Sequence, residues 1–197
     1  MRVVLASASP RRSEILRTLG VQFEILPADA DESSDITDPV ALVRELALRK
    51  AHAVREILAA RGEWNGDTLI IAADTVVEND GEILGKPKDD ADAARMLRRL
   101  SGKAHRVISG VALLCGEREI ADAQITRVHF APMSEKEIEW YVKSGEPRDK
   151  AGAYAVQGLA SVFIKGLDGE YFNVVGLPVY CLDRLLLSFL GLHLTEL

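Results

Sequence analysis

Apolar residues fall along this chain in two rhythms, short β-rich runs and longer stretches of helical period, which alternate from the first residues onward. That alternation predicts an α/β fold. Arg2 to Ser7 reads as a buried strand. Ser9 then stands at an N-cap position and Pro10 at the first helical position, with Ile15, Leu16 and Leu19 as the apolar stripe and Gly20 as the stop. A second strand is predicted near Gln22 to Leu26. After the acidic, Ser-rich stretch Asp29 to Asp35, Asp38-Pro39 repeats the cap-plus-proline start and opens a long helix reaching about Ala60. Thr68 to Val77 is a strand run, and Asn79-Asp80-Gly81 is a turn returning through Glu82-Ile83-Leu84.

Farther along, Asp89 or Asp90 can cap a helix that carries Met96, Leu97 and Leu100 and ends at Gly102. His105 to Leu114 and Ile120 to Phe130 pair as strands through Gly116. Ser134-Glu135-Lys136-Glu137 matches a capping box for a helix through Tyr141, stopped by Gly145 and Pro147. A Gly-punctuated loop then leads to a strand from Ala160 to Ile164, a hairpin around Asp168-Gly169, and a C-terminal helix after Pro178. No repeat, low-complexity tract or long linker interrupts the order. Residues 1–197 are therefore expected to form one domain, or two lobes sharing a sheet.

Charge narrows the partners. With 24 Lys and Arg against 30 Asp and Glu, the net charge is −6, which lacks the basic excess that gripping nucleic-acid backbone requires. Any phosphate site must be local. The 48% hydrophobic content is enough for a buried core and excludes a disordered chain. Cys115 and Cys181, the only cysteines, form neither a C-x-x-C pair nor a dense disulfide pattern, so a reducing cytoplasm is expected. The apolar run at the N-terminus is too short for the core of a signal peptide. Leu185 to Leu194 is about half of the roughly 20 residues that cross a bilayer, so no membrane segment is expected and this tract reads as a core helix.

Several places concentrate chemistry. Ser7-Ala8-Ser9-Pro10-Arg11-Arg12 puts two hydroxyls and two guanidiniums where a strand gives way to a helix. Unpaired amides and the positive end of the helix dipole gather there to form an anion site, the alternative being a capped helix with solvent-facing arginines. Asp74 is the one carboxylate in Leu69 to Val77. Burial there costs it several kcal/mol of hydration unless a cation or hydrogen bonds compensate, whereas a place at the strand's carboxyl end would leave it in solvent. Glu32 can join another carboxylate in holding a hard divalent cation, or can be one of a loop of solvated acids. Lys86, in Gly85-Lys86-Pro87, can reach a phosphate as a point charge, but the surrounding spacing fails the P-loop pattern. Arg49 and Lys50, mid-helix, read by themselves as a solvated face, and Thr75 by itself is an ordinary strand residue. Gln157, in a loop rich in charge and glycine, can read a base edge by donating and accepting together. Asn173 is either structural or a ligand contact. The chain has no H-E-x-x-H, no G-x-S-x-G and no G-x-G-x-x-G.

Taken in order, Ser7-Ala8-Ser9-Pro10-Arg11-Arg12, Ala72-Ala73-Asp74-Thr75-Val76-Val77, Gly85-Lys86-Pro87, Leu100-Ser101-Gly102, Ser144-Gly145-Glu146-Pro147, Asp149-Lys150-Ala151-Gly152-Ala153-Tyr154 and Asn173-Val174-Val175-Gly176-Leu177-Pro178 resemble the Maf family of nucleoside triphosphate pyrophosphatases across nearly the whole chain. The resemblance implies a single Maf-like domain over 1–197, an α/β fold with a mixed central sheet flanked by helices, and two lobes around a cleft, as in inosine triphosphate pyrophosphatases. It also implies cleavage between the α and β phosphates with a divalent metal, Mg²⁺ or Mn²⁺, by a homodimer. On this resemblance Asp74 matches the proton acceptor, and Glu32, Lys50 and Lys86 lie around the triphosphate and metal; Asp74 either takes the proton of the attacking water or holds the metal, to which Glu32 contributes. Ser7, Ser9 and Arg12 join the phosphate site, and Arg11, Thr75 and Gln157 match positions linked with substrate choice. Two arginines opening the first helix match the branch acting on dTTP and UTP; the alternatives are the branch resembling 7-methyl-GTP pyrophosphatases, or a nucleotide-binding regulator of cell division without turnover. Ala155-Val156 departs from the Gly-Ile usual in the dTTP/UTP branch, and Ser109 from a common Thr.

Overall fold

The first apolar run becomes β1 (Arg2–Leu5), which lies parallel to β2 (Glu24–Ile25) on one side and to β3 (Thr68–Asn79) on the other, Val4 pairing with both Glu24 and Ile70. A short, continuously apolar strand is what a parallel sheet covered on both faces requires. In the computed structural model, which describes residues 1–197, seven strands form one sheet, with the main path running in the order β2-β1-β3-β5-β6-β7. β5 is Ala104–Cys115, β6 is Arg118–Phe130 and β7 is Ile164–Asp168. β4 (Glu82–Leu84) returns antiparallel along the far end of β3, and β6 and β7 are also antiparallel. The sheet is therefore mixed, as expected. Its helices are α1 (Pro10–Thr18), α2 (Pro39–Ala60), α3 (Asp90–Leu100), α4 (Glu135–Lys143), α5 (Tyr171–Val175) and α6 (Val179–Leu190). None is long and apolar enough to cross a membrane.

The chain divides into two compact units. The first holds Met1–Asp74, Ser109–Gln124 and Gly176–Leu197; the second holds Thr75–Ile108 and Ile125–Val175. In the first, Asp38 caps α2 by accepting from the Ala41 amide, and the helix buries Ala47, Ala51, Val54 and Leu58 against Val4, Ala6, Ile70, Ala72, Ala112 and Leu114. Those spacings are a helical stripe laid on alternate strand residues. Contact is closest at Gly110, where a Cβ would lie 2.3 Å from the Val43 carbonyl oxygen, so only glycine fits. Both cysteines, Cys115 and Cys181, are buried free thiols.

In the second unit, Asp89 caps α3, whose buried Met96, Leu97 and Leu100 match the predicted stripe, with Ala93 buried as well. The capping box of Ser134 and Glu137 starts α4 as expected. Both helices pack on Val77, Val107, Val128 and Phe130. His105, Phe130 and Tyr154 meet edge to face, with His105 Nε2 and the Tyr154 hydroxyl 2.7 Å apart.

Three expectations change. Leu159–Phe163 is a 3₁₀ helix rather than the start of a strand, and β7 begins only at Ile164. Ala160 and Phe163 are buried while Leu159 and Val162 are exposed, a period of three that a short apolar run conceals. Asp168-Gly169 does turn the chain, with φ of 129° at Gly169, but the turn leads into α5 and not into a returning strand. There Thr126 Oγ1 accepts from the Glu170 amide and donates to the Glu170 carbonyl, which fastens the turn to β6. β1 also stops at Leu5, before Ser7, although the Ala6 amide still donates to Ile71.

Candidate active site

Leu69, Ile70, Ile71, Ala72 and Ala73 are all fully buried, and the strand that carries them delivers Asp74 next. The strand runs on to Asn79, so Asp74 lies inside β3 and not at its carboxyl end. Its side chain is only 11% exposed. A carboxylate so placed must regain what hydration supplied. Lys50 does this, with Nζ 2.6 Å from Asp74 Oδ1, and the same ammonium lies 2.7 Å from Glu32 Oε1. Lys50 is held to this place because its neighbours Ala47 and Ala51 form the buried stripe of α2. The solvated-face reading of Lys50 is therefore incorrect.

Arg49 is not a bare surface charge either. Its Nη1 donates to the carbonyls of Asp31 and Ser33, at 3.2 and 2.7 Å, and its Nε to Glu45. It grips the acidic loop on both sides of Glu32. The sequence held no sign of this, because a backbone carbonyl accepts from any donor and leaves no residue-type pattern at long separation. The same reason hid the Gly176 carbonyl, which accepts from Arg12 Nε at 2.8 Å.

Arg12 also donates to Ser7 Oγ at 3.1 Å, and Ser7 Oγ accepts from the Ser9 amide at 3.2 Å. Ser9 occupies the cap position by its backbone alone, since its hydroxyl makes no bond to the α1 amides. The dipole of α1 favours negative charge at this end. Burial pulls the Arg12 guanidinium below its ordinary range; Asp74 opposes this, Arg11 adds to it, and Glu32 opposes it. Arg11 Nε is a buried donor without a hydrogen-bond partner. In the first unit, then, Lys50 joins Glu32 to Asp74, and Arg12, bonded to the Ser7 hydroxyl, feels the charge of both carboxylates.

The remaining predicted residues, Thr75, Lys86 and Gln157, belong to the second unit. Thr75 is half-buried on β3, and Lys86 and Gln157 are exposed on loops. The Lys86 loop is tied to another, since the Gly152 amide donates to the Gly85 carbonyl at 3.0 Å. Gly152, at φ of 69°, faces Val77 where a Cβ would lie 2.9 Å away. Asn173 is structural: fully buried, it donates to the Val107 carbonyl and to Thr126 Oγ1.

For a metal, Glu32 and Asp74 offer two hard oxygen donors that already converge on one cation, the Lys50 ammonium. No group of three or more His, Cys, Asp or Glu side chains is arranged to hold one. Such a donor set fits an ion of the Mg²⁺ kind, which takes one or two carboxylates and completes its shell with water and substrate phosphates.

The chain matches the Maf-like protein family over residues 2–189. It is 47% identical to a dTTP/UTP pyrophosphatase of Symbiobacterium thermophilum over 95% of this chain and 94% of the relative. Proteins of the same name from Alkaliphilus oremlandii and Aquifex aeolicus are 45% and 44% identical, covering 98% and 94% of this chain and the same shares of their own. The solved structure of the Staphylococcus aureus Ham1 protein aligns with 66% of this chain and 72% of its own at a TM-score of 0.48 and 14% identity. The match over residues 2–189 makes this protein a member of the Maf-like family.

Proposed function

We propose that the protein is a nucleoside triphosphate pyrophosphatase that hydrolyses dTTP and UTP to the nucleoside monophosphate and pyrophosphate. The observation that carries this is near-full-length similarity to relatives of that name, and the charged group around Asp74 supplies the chemistry. A water oxygen bonds to the α phosphorus while the bridge to the β phosphate breaks, and pyrophosphate departs. Asp74 takes the proton that the water loses. Lys50, Arg12, Lys86 and the amides that open α1, with Ser7 and Ser9, stabilise the charge that grows on the phosphates. Arg11, Thr75 and Gln157 select the base.

Glu32 and Asp74 are the residues that would hold a divalent cation, Mg²⁺ or Mn²⁺, which when bound neutralises phosphate charge and makes water more acidic. The homodimer, supported by the family resemblance, and the cytoplasmic location, supported by two cysteines without a disulfide pattern, belong to the same reading; light scattering on the purified chain measures the first.

The test is to incubate the protein and either metal with a panel of canonical and modified triphosphates and to separate the products. Stoichiometric monophosphate and pyrophosphate, fastest from dTTP and UTP, is the expected result. Binding without pyrophosphate release overturns the reading.

A further inference from the structure

Gln157 is exposed, yet the backbone on either side of it is tied down. On one side the Ala155 amide donates to the Tyr141 hydroxyl at 3.2 Å. On the other, Leu159 and Ala160 donate to the Glu146 carboxylate, at 3.0 Å to Oε2 and 3.4 Å to Oε1. The two anchors are themselves joined, because Tyr141 donates its hydroxyl proton to Glu146 Oε1 at 2.7 Å. Tyr141 is fully buried, and burial, reinforced by the carboxylate, keeps its phenol well above the ordinary range and so always a donor. Gly145, at φ of 76°, makes the turn that brings Glu146 back to Tyr141.

Gly158 completes the arrangement. A Cβ there would lie 2.2 Å from Glu146 Oε2 and 2.3 Å from Oε1, although its φ of −111° suits any residue. The missing side chain is therefore needed for space and not for backbone freedom. An ionised carboxylate accepts only, and here it meets three donors, one phenol and two amides.

We propose that Glu146 and Tyr141 are positioning residues for base selection, holding the Ala155–Ala160 backbone so that the Gln157 amide meets the base in one orientation. The inference rests on the pyrophosphatase reading, in which Gln157 contacts the base. An amide offers a donor and an acceptor at fixed separation, and it discriminates between bases only when its backbone cannot drift by an ångström or so.

The experiment compares kcat/KM for dTTP, UTP and GTP in the wild type, Gln157→Ala, Glu146→Gln, Tyr141→Phe and Gly158→Ala. In each variant the dTTP-to-GTP ratio is expected to fall by about tenfold or more, mainly through KM for dTTP. Tyr141→Phe added to Gln157→Ala costs no further selectivity, since the clamp acts through that one amide. Hydrogen exchange at Ala155, Leu159 and Ala160 quickens in Glu146→Gln. If that variant does not fold, Tyr141→Phe and Gly158→Ala carry the test. A wild-type ratio in those two, or an additive double variant, overturns the inference while leaving the pyrophosphatase standing. A wild type that releases no pyrophosphate overturns both, so the two failures are separately visible.

Discussion

At Asp74 the requirements of folding coincide with those of the proposed chemistry. The carboxylate is tolerated in an apolar strand because Lys50 reaches it, and the same pairing fixes where its oxygen points. Asp74→Asn retains the shape and leaves Lys50 paired with Glu32. Turnover is expected to drop by about a thousandfold with an unchanged circular-dichroism spectrum; near-normal pyrophosphate release would falsify the role assigned to Asp74. His105 shows a different cost. Its Nδ1 is buried without a partner, so a protonated ring would bury an unsatisfied N–H, and burial pushes its pKa down to about 4 from 6.5. The unfolded chain takes up the proton first as pH falls. Stability is therefore whole above about pH 6.5 and is lost progressively as pH drops toward 4, by up to about 3 kcal/mol from this residue. Urea titrations at pH 7 and pH 5 measure the slope, and a His105→Phe protein with an identical slope would remove His105 as its source.

Elements are placed by a few close approaches. α2 lies near enough to β5 for the Val43 carbonyl to occupy the space of a Gly110 Cβ, and this seats the stripe that holds Lys50 over Asp74. Gly110→Ala must push helix and strand apart. The expected loss is about 2 kcal/mol or more in denaturant unfolding, with a larger fall in activity than Ser109→Thr produces. The caps of α2, α3 and α4 and the stripe of α3 were legible in the sequence because each lies within a few residues of chain. Leu159–Phe163 was not. Its five residues are apolar or small whichever face they bury, and only the packing of Ala160 and Phe163 separates a 3₁₀ turn from a strand.

For the molecule as a whole, β3, β5 and β6 each run from one compact unit into the other, so both units draw on the same strands. Both cysteines lie in the first unit and are buried, and burial pushes the Cys115 thiol up, which makes it a poor nucleophile. Neither thiol is expected to react with a disulfide reagent in the native state, and both should react once denaturant unfolds the chain. Prompt native labelling would show that the first unit opens locally far below the cost of global unfolding.

Hydrophobic rhythm, cap chemistry and turn residues by themselves determined the α/β class, the order of the elements as far as α4 and the two stretches, around Ser7 and Asp74, where charge interrupts an apolar pattern. Those signals are local, since a helix or strand is specified by neighbours in the chain. Tertiary structure alone decided that Lys50 joins Glu32 to Asp74, that Arg49 grips the Glu32 loop through carbonyls, and that Glu146 and Tyr141 fasten the backbone around Gln157. Contacts of this kind form between distant segments, often with backbone atoms that every residue possesses, and packing fixes them without leaving a mark in the residue types.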